Sequence, residues 1–204
     1  MKIVYGTTNQ GKINQVKDFF QTQKVKLEIL SLKDIGFDSK IIEDGKTIQE
    51  NARIKAKAIA SFCKKHKRKE IVVADDTGLC VDALGGRPGV YSARYAGEHA
   101  KQEVVLAKLL DEMKQVPEEK RTAHFICVLV AILPNEERIE VTGRTEGKIA
   151  LTPGQMGKLT YGPIFIPDGF HCVMNELKDE QLAVTHREKA FLELLEKLEK
   201  TKEY

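Results

Sequence analysis

No run of eighteen or more apolar residues occurs in this 204-residue chain, so a membrane-spanning helix is not indicated. The opening stretch Met1-Lys2-Ile3-Val4-Tyr5-Gly6 is too short an apolar run for a secretory signal and reads as a first strand. The four cysteines, Cys63, Cys80, Cys127 and Cys172, form no C-x-x-C pair. Their spacing argues against a zinc site or a disulfide framework and suits buried thiols in a reducing compartment. A cytoplasmic location is expected. Charge of one sign is also scarce: 33 Lys and Arg against 30 Asp and Glu leave a net +3, too little to imply a nucleic-acid partner. The one basic block, Lys64 to Lys69, has no interleaved aromatics for base stacking and follows an amphipathic helix whose C-terminal end favours cations. It reads as a solvated helix end. Repeats, low-complexity tracts and linkers are missing too.

What remains is an ordinary globular composition, 42% hydrophobic and 31% charged, patterned as α/β. The strand Lys2–Gly6 leads through the polar turn Thr7-Thr8-Asn9-Gln10-Gly11-Lys12 into a helix with Ile13, Val16, Phe19 and Phe20 at helical spacing. A short strand is expected over Leu27–Leu30. Thr47-Ile48-Gln49-Glu50 matches a capping box and opens a helix striped by Ala52, Ala56, Ile59, Ala60 and Cys63. The run Ile71–Ala74 is a strand ending at an acidic pair, after which Leu84–Tyr91, rich in glycine, reads as loop. A helix near His99–Met113 and a hairpin of strands over Arg121–Leu133 and from Arg138 follow. Gly154–Gly169 reads as a second loop, and the capping box Thr185–Glu188 opens a last helix carrying Ala190, Phe191, Leu194, Leu195 and Leu198.

Three places carry chemistry. Asp75 and Asp76 follow an apolar strand directly, and an unpaired carboxylate out of water is costly. The pair either forms an Asx-type turn ahead of Gly78 or holds a hard cation such as Mg²⁺, which takes one or two carboxylates plus phosphate oxygens. Thr7–Lys12 lies between a strand and a helix, where backbone N–H groups and a helix start face an anion and Lys12 adds a positive charge. The same residues also fit a plain capped helix start, with Thr8 or Asn9 as cap. The spacing is not that of a P-loop. Glu43 is a candidate second carboxylate for a cation, Glu50 is explained by its capping box, and Lys55 lies beside its helix's apolar stripe, over the core edge or facing a cleft. His186 and Arg187 occupy a helix's first turn, where the dipole disfavours cations, so Glu188, Asp179 or a bound anionic or purine ligand must offset them. His124 and His171 show no metal-ligand spacing.

Taken in order, Thr8-Asn9-Gln10-Gly11-Lys12, Glu43 through Ala52, Ala74-Asp75-Asp76-Thr77-Gly78-Leu79, Leu84 through Gly97 and Thr185-His186-Arg187 form one set. This set resembles the inosine-triphosphate pyrophosphatase family, enzymes that remove aberrant purine nucleotides, and the resemblance covers essentially the whole chain. It implies an α/β fold with an elongated mixed β-sheet flanked by helices, a single domain over residues 1–204 with two lobes around a nucleotide-binding cleft. It also implies Mg²⁺-dependent hydrolysis of ITP, dITP and XTP to monophosphate and pyrophosphate, by a homodimer whose partner is the nucleoside triphosphate rather than nucleic acid or membrane. By matching position, Thr7, Thr8, Asn9, Gln10, Gly11 and Lys12 would cradle the triphosphate and Lys55 would contact phosphate. Glu43, Asp75 and Asp76 would place the metal, with Asp76 the proton acceptor and Lys12 its catalytic companion. Thr77 would touch substrate. Leu159, Thr160, Tyr161, Gly162, Gln181, His186 and Arg187 would face the base.

The departures from the family concentrate at that base end. Where it typically reads G-F-G-Y-D-P, this chain reads Lys158-Leu159-Thr160-Tyr161-Gly162-Pro163. Gln181 stands for a usual lysine, Thr185 for a usual serine, and Gln15 for a common glutamate. Loss of an aromatic stack and of a carboxylate each implies about 1–3 kcal/mol of lost base discrimination. The expectation is hydrolysis with a shifted or relaxed base preference, the rival being a catalytically weak nucleotide-binding or sensing protein.

Overall fold

The computed structural model describes residues 1–157, 159–178 and 185–201. In chain order the elements are β1 (Lys2–Tyr5), α1 (Gln10–Thr22), β2 (Glu28–Leu30), α2 (Ile48–Lys65) and β3 (Ile71–Val81). They continue with α3 (Gln102–Glu112), β4 (Thr122–Ile132), β5 (Arg138–Ile149), β6 (Phe165–Pro167) and α4 (His186–Lys200). The six strands form one sheet in the order β2-β1-β3-β4-β5-β6. It is mixed: β1 runs parallel to β2 and β3, with Ile3 opposite Ile29 and Ile71, whereas β5 and β6 are antiparallel. The fold is thus the expected mixed α/β sheet with helices.

Local sequence accounts for most of these elements. Asn9 caps α1 by accepting from the Lys12 N–H, and Ile13, Val16, Phe19 and Phe20 are its buried face. Thr47 and Glu50 complete the capping box of α2, whose stripe Ala52, Ala56, Ile59 and Cys63 is buried, with Ala60 at its edge. The apolar face of α4 is buried at Ala190, Phe191, Leu194, Leu195 and Leu198. Among the described residues the cysteines form no disulfide, and Cys63 and Cys127 are buried. Among the described residues, no helix is long and apolar enough to cross a membrane.

The chain packs as two compact units. The first comprises Met1–Asp76, Cys127–Gly143 and Arg187–Tyr204; the second comprises Thr77–Ile126 and Arg144–His186. In the first, Val4 and Val72 pack with Leu32, Ile35, Ile59 and Cys63, and the ring of Phe191 meets those of Tyr5 and Phe20 edge-on. In the second, Leu79, Leu106, Leu109, Met113, Phe125 and Phe165 belong to one apolar cluster.

Three expectations are corrected. The strand does not end in an acidic turn: β3 continues through Asp75 and Asp76 to Val81. Each carboxylate meets a cation on its own side of the strand, so the acids do not force a turn. The glycine-rich stretch at Leu84–Tyr91 is partly helical, with 3-10 turns at Asp82–Leu84 and Gly89–Arg94. The second loop contains a strand, β6, whose Phe165 is fully buried while Gly and Pro flank it and hide its pattern.

Candidate active site

Successive strand residues point to opposite faces, so β3 presents Asp75 and Asp76 to two different environments. Asp75 is 1% exposed. Its Oδ1 accepts from the Tyr5 hydroxyl at 2.9 Å and its Oδ2 accepts from Lys12 Nζ at 2.7 Å. Arg187 Nη2 lies 3.6 Å from the same Oδ2. Burial pushes the Asp75 carboxyl up, but Lys12, Arg187 and Lys55 outweigh it and hold the group far below the usual carboxylate range. Asp75 is therefore a permanently ionised anchor. Burial also disfavours ionisation of Tyr5, and the Asp75 charge adds to this, so Tyr5 stays a neutral donor.

Asp76 faces a separate pair. Lys55 Nζ, projecting from α2, donates to Asp76 Oδ1 at 3.0 Å and to Glu43 Oε2 at 2.6 Å. Burial raises the Asp76 pKa above its ordinary value despite the Lys55 charge. Burial pulls Lys55 down, yet Asp76, Asp75 and Glu43 together raise it, so it remains a firm cation. Adjacent carboxylates whose environments drive their pKa values apart mark a division of labour between a fixed charge and a proton acceptor.

Of the carboxylates expected around a cation, Glu43 and Asp76 converge on one positive charge, the Lys55 ammonium, while Asp75 is engaged by Lys12, Tyr5 and Arg187. Among the described residues, no group of three or more His, Cys, Asp or Glu side chains is placed to hold a metal ion by itself. A hard-oxygen pair of this kind suits a cation that completes its shell with phosphate oxygens.

The turn before α1 places Thr8, Asn9, Gln10 and Gly11 at the surface, with Thr7 and Lys12 half-buried. Thr7 Oγ1 accepts from the Asn9 N–H, and Asn9 Oδ1 from the Lys12 N–H. The capped helix start exists, and the surface residues beside it are open to an anion. Arg187, 5% exposed at the start of α4, donates to Gln15 Oε1 at 2.6 Å, and Gln15 donates to Glu188 Oε1 at 3.3 Å. The local carboxylate thus comes from Glu188 through Gln15, and from Asp75 directly. Asp179 and Gln181 lie outside the described residues.

The remaining candidates belong to the second unit. Thr77 is half-buried on β3. His186 is buried and its ring stacks on Phe125, with centroids 5.1 Å apart. Leu159 is 42% exposed and Thr160 is exposed, and Gln102 Nε2 donates to both of their carbonyls. Tyr161 is buried and its hydroxyl donates to the Ser92 carbonyl at 2.8 Å, which fixes it as a structural residue of the loop. Gly162 is buried beside Asn175.

Sequence reasoning missed Tyr5 as a partner of Asp75. The only signal was a polar hydroxyl at the end of a buried strand. Tyr5→Phe is expected to keep the fold and cost about 1–2 kcal/mol, because Asp75 retains its cations and loses one hydrogen bond. Urea unfolding of the pair of proteins checks this; an unchanged midpoint would show the bond to be idle.

Comparison with known proteins now bears on this arrangement. The model of the Ham1 family matches residues 3–197. The chain belongs to the Ham1 family. It is 42% identical over 198 residues to the dITP/XTP pyrophosphatase of Bacillus subtilis (strain 168), covering 96% of each chain. The dITP/XTP pyrophosphatase of Clostridium perfringens (strain 13 / Type A) is 38% identical over 199 residues, 97% of each chain. Among solved structures, the Staphylococcus aureus Ham1 protein superposes with a TM-score of 0.84 at 34% identity, covering 98% of this chain and 100% of that one. A nucleoside-triphosphatase / dITP/XTP pyrophosphatase from Mycobacterium abscessus gives a TM-score of 0.75 at 35% identity, covering 96% and 99%. The Ham1 fold thus accounts for the mixed sheet described above.

Proposed function

We propose that this chain is a Mg²⁺-dependent nucleoside-triphosphate pyrophosphatase that converts ITP, dITP and XTP to the monophosphate and pyrophosphate. Relatives of near-equal length named dITP/XTP pyrophosphatase support the reaction class. The observation that carries the chemistry is the split pair on β3, with Asp75 held ionised by Lys12 and Arg187 and Asp76 raised by burial.

Lys12, Lys55 and Arg187 balance Glu43, Asp75 and Asp76, so the site has little spare positive charge for a triphosphate. Mg²⁺, when bound, would supply that charge and offset negative charge on the phosphates. Glu43 and Asp76, already converging on one cation, are the residues that would hold it. Thr7–Lys12 and the helix start would bind the phosphate oxygens, and Lys55, held between Glu43 and Asp76, would contact a phosphate oxygen. Asp76 would orient a water and accept its proton for attack on the α-phosphorus, its contribution resting on position. Asp75 fixes Lys12 and keeps that cation aimed.

At the base end, Leu159 replaces an aromatic platform and Gly162 brings no side chain, so stacking contributes little and discrimination falls on polar groups. The test is kcat/KM for ITP, dITP, XTP, GTP, ATP and pyrimidine triphosphates, with Mg²⁺ and with a chelator. Hydrolysis of ITP, dITP and XTP that stops with chelator and returns with Mg²⁺ is expected. Tight nucleotide binding without turnover would favour a sensing protein instead.

A further inference from the structure

One buried polar side chain of the first unit has no part in the chemistry above. Asn51, in the first turn of α2, is 1% exposed, and its Oδ1 accepts from the Gly45 N–H at 2.9 Å. Beside it Glu50 Oε2 accepts from the N–H groups of Lys46 and Thr47, at 2.6 and 3.2 Å. Two side chains of one helix thus hold three consecutive backbone donors. The approach at Gly45 is close: a Cβ there would lie 2.6 Å from Asn51 Oδ1 and 2.8 Å from Glu50 Cβ. Only a residue without a side chain lets the backbone sit so near the amide.

This contact matters because of what precedes it. Residues 37–45, which carry Glu43, form neither helix nor strand, and the Glu43 side chain is 38% exposed. Packing therefore does little to place that carboxylate. What places it is α2, at two points one turn apart. Asn51 takes the backbone at Gly45, and Lys55, four residues on and also buried, takes the carboxylate at 2.6 Å. The two tethers differ in kind. The Lys55 contact is a charge pair on the carboxylate itself, so any other cation there competes with it. The Asn51 bond is made two residues away, to backbone, and no cation at Glu43 competes for it.

We infer that Asn51 is a positioning residue, fixing the Gly45 backbone so that the Glu43 carboxylate is held beside Asp76 independently of its pairing with Lys55. The inference rests on the proposed function, in that Glu43 and Asp76 are the carboxylates that would hold Mg²⁺. Groups that hold a metal-binding side chain in place without touching the metal typically account for about 10–100-fold of its affinity.

The test is calorimetric titration of Mg²⁺ into the protein saturated with an ITP analogue whose α- and β-phosphorus are joined by a methylene group, which needs no turnover. Asn51→Ala and, separately, Gly45→Ala should each weaken Mg²⁺ about tenfold. In kinetics with ITP, both should regain near-parental kcat at saturating Mg²⁺, because the carboxylate is misplaced rather than missing. Gly45 is half-buried in the irregular segment, outside the core, so Gly45→Ala reports even where Asn51→Ala fails to fold. A purely structural role would lower the melting temperature and leave the Mg²⁺ affinity of the folded protein at the parental value. That result in either folded variant, with Mg²⁺ affinity lost in Glu43→Gln, overturns the inference alone. Parental Mg²⁺ affinity in Glu43→Gln would instead overturn the reading of Glu43 as a metal carboxylate, on which the inference rests.

Discussion

Asp76→Asn is expected to fold as the parent does and to release pyrophosphate about 10²–10⁴-fold more slowly, the range for loss of a positioned general base. The fold should survive because Lys55 keeps its 2.6 Å contact with Glu43 and an amide oxygen can still accept from it. Burial already disfavours charge at this position, so a neutral residue of the same shape removes little stability. Activity should fall in kcat more than in KM, since the lost interaction belongs to the transition state. Steady-state kinetics beside a melting curve checks both halves. A variant that keeps near-parental kcat would show that Asp76 is not the proton acceptor.

The adjacent substitution should do the opposite kind of damage. Asp75→Asn leaves Lys12 and the buried Arg187 facing an amide in place of a carboxylate. Breaking a buried pair by removing one partner costs about 3–5 kcal/mol, because the charges left behind cannot be solvated. The Asp75 side chain is fully shielded, so solvent does not screen this loss. The pH dependence has a definite sign. The Asp75 pKa is depressed from the ordinary 3.8, so its contribution is fully present above that value and drains away as the pH falls below it toward the lower folded pKa. Urea unfolding at neutral pH should therefore show a large loss for Asp75→Asn, and below about pH 3.8 the gap between parent and variant should narrow. Equal stability at neutral pH would mean that Asp75 is not the anchor of Lys12 and Arg187.

Sequence alone pointed to these two acids, and the family resemblance gave the proton to Asp76, but the cation that meets each carboxylate was not legible. Periodicity revealed α1, α2 and α4 because each buries one face, and α1 and α2 carry their caps within three residues. The continuation of β3 was hidden, since Asp-Asp-Thr-Gly reads locally as a turn. What keeps it extended comes from Lys12, 63 residues away, and from Lys55, 21 residues away. The partner assignments were invisible for the same reason: nothing near Asp75 in sequence announces Tyr5 or Arg187. β6 was missed because three residues between glycine and proline turns carry too little pattern to register.

The most direct test of the reaction itself is product analysis of dITP hydrolysis with Mg²⁺. Pyrophosphate and dIMP in equal amounts, with no orthophosphate and with both products lost in Asp76→Asn, is the expected result. Orthophosphate with dIDP, or full pyrophosphate release by Asp76→Asn, would contradict it.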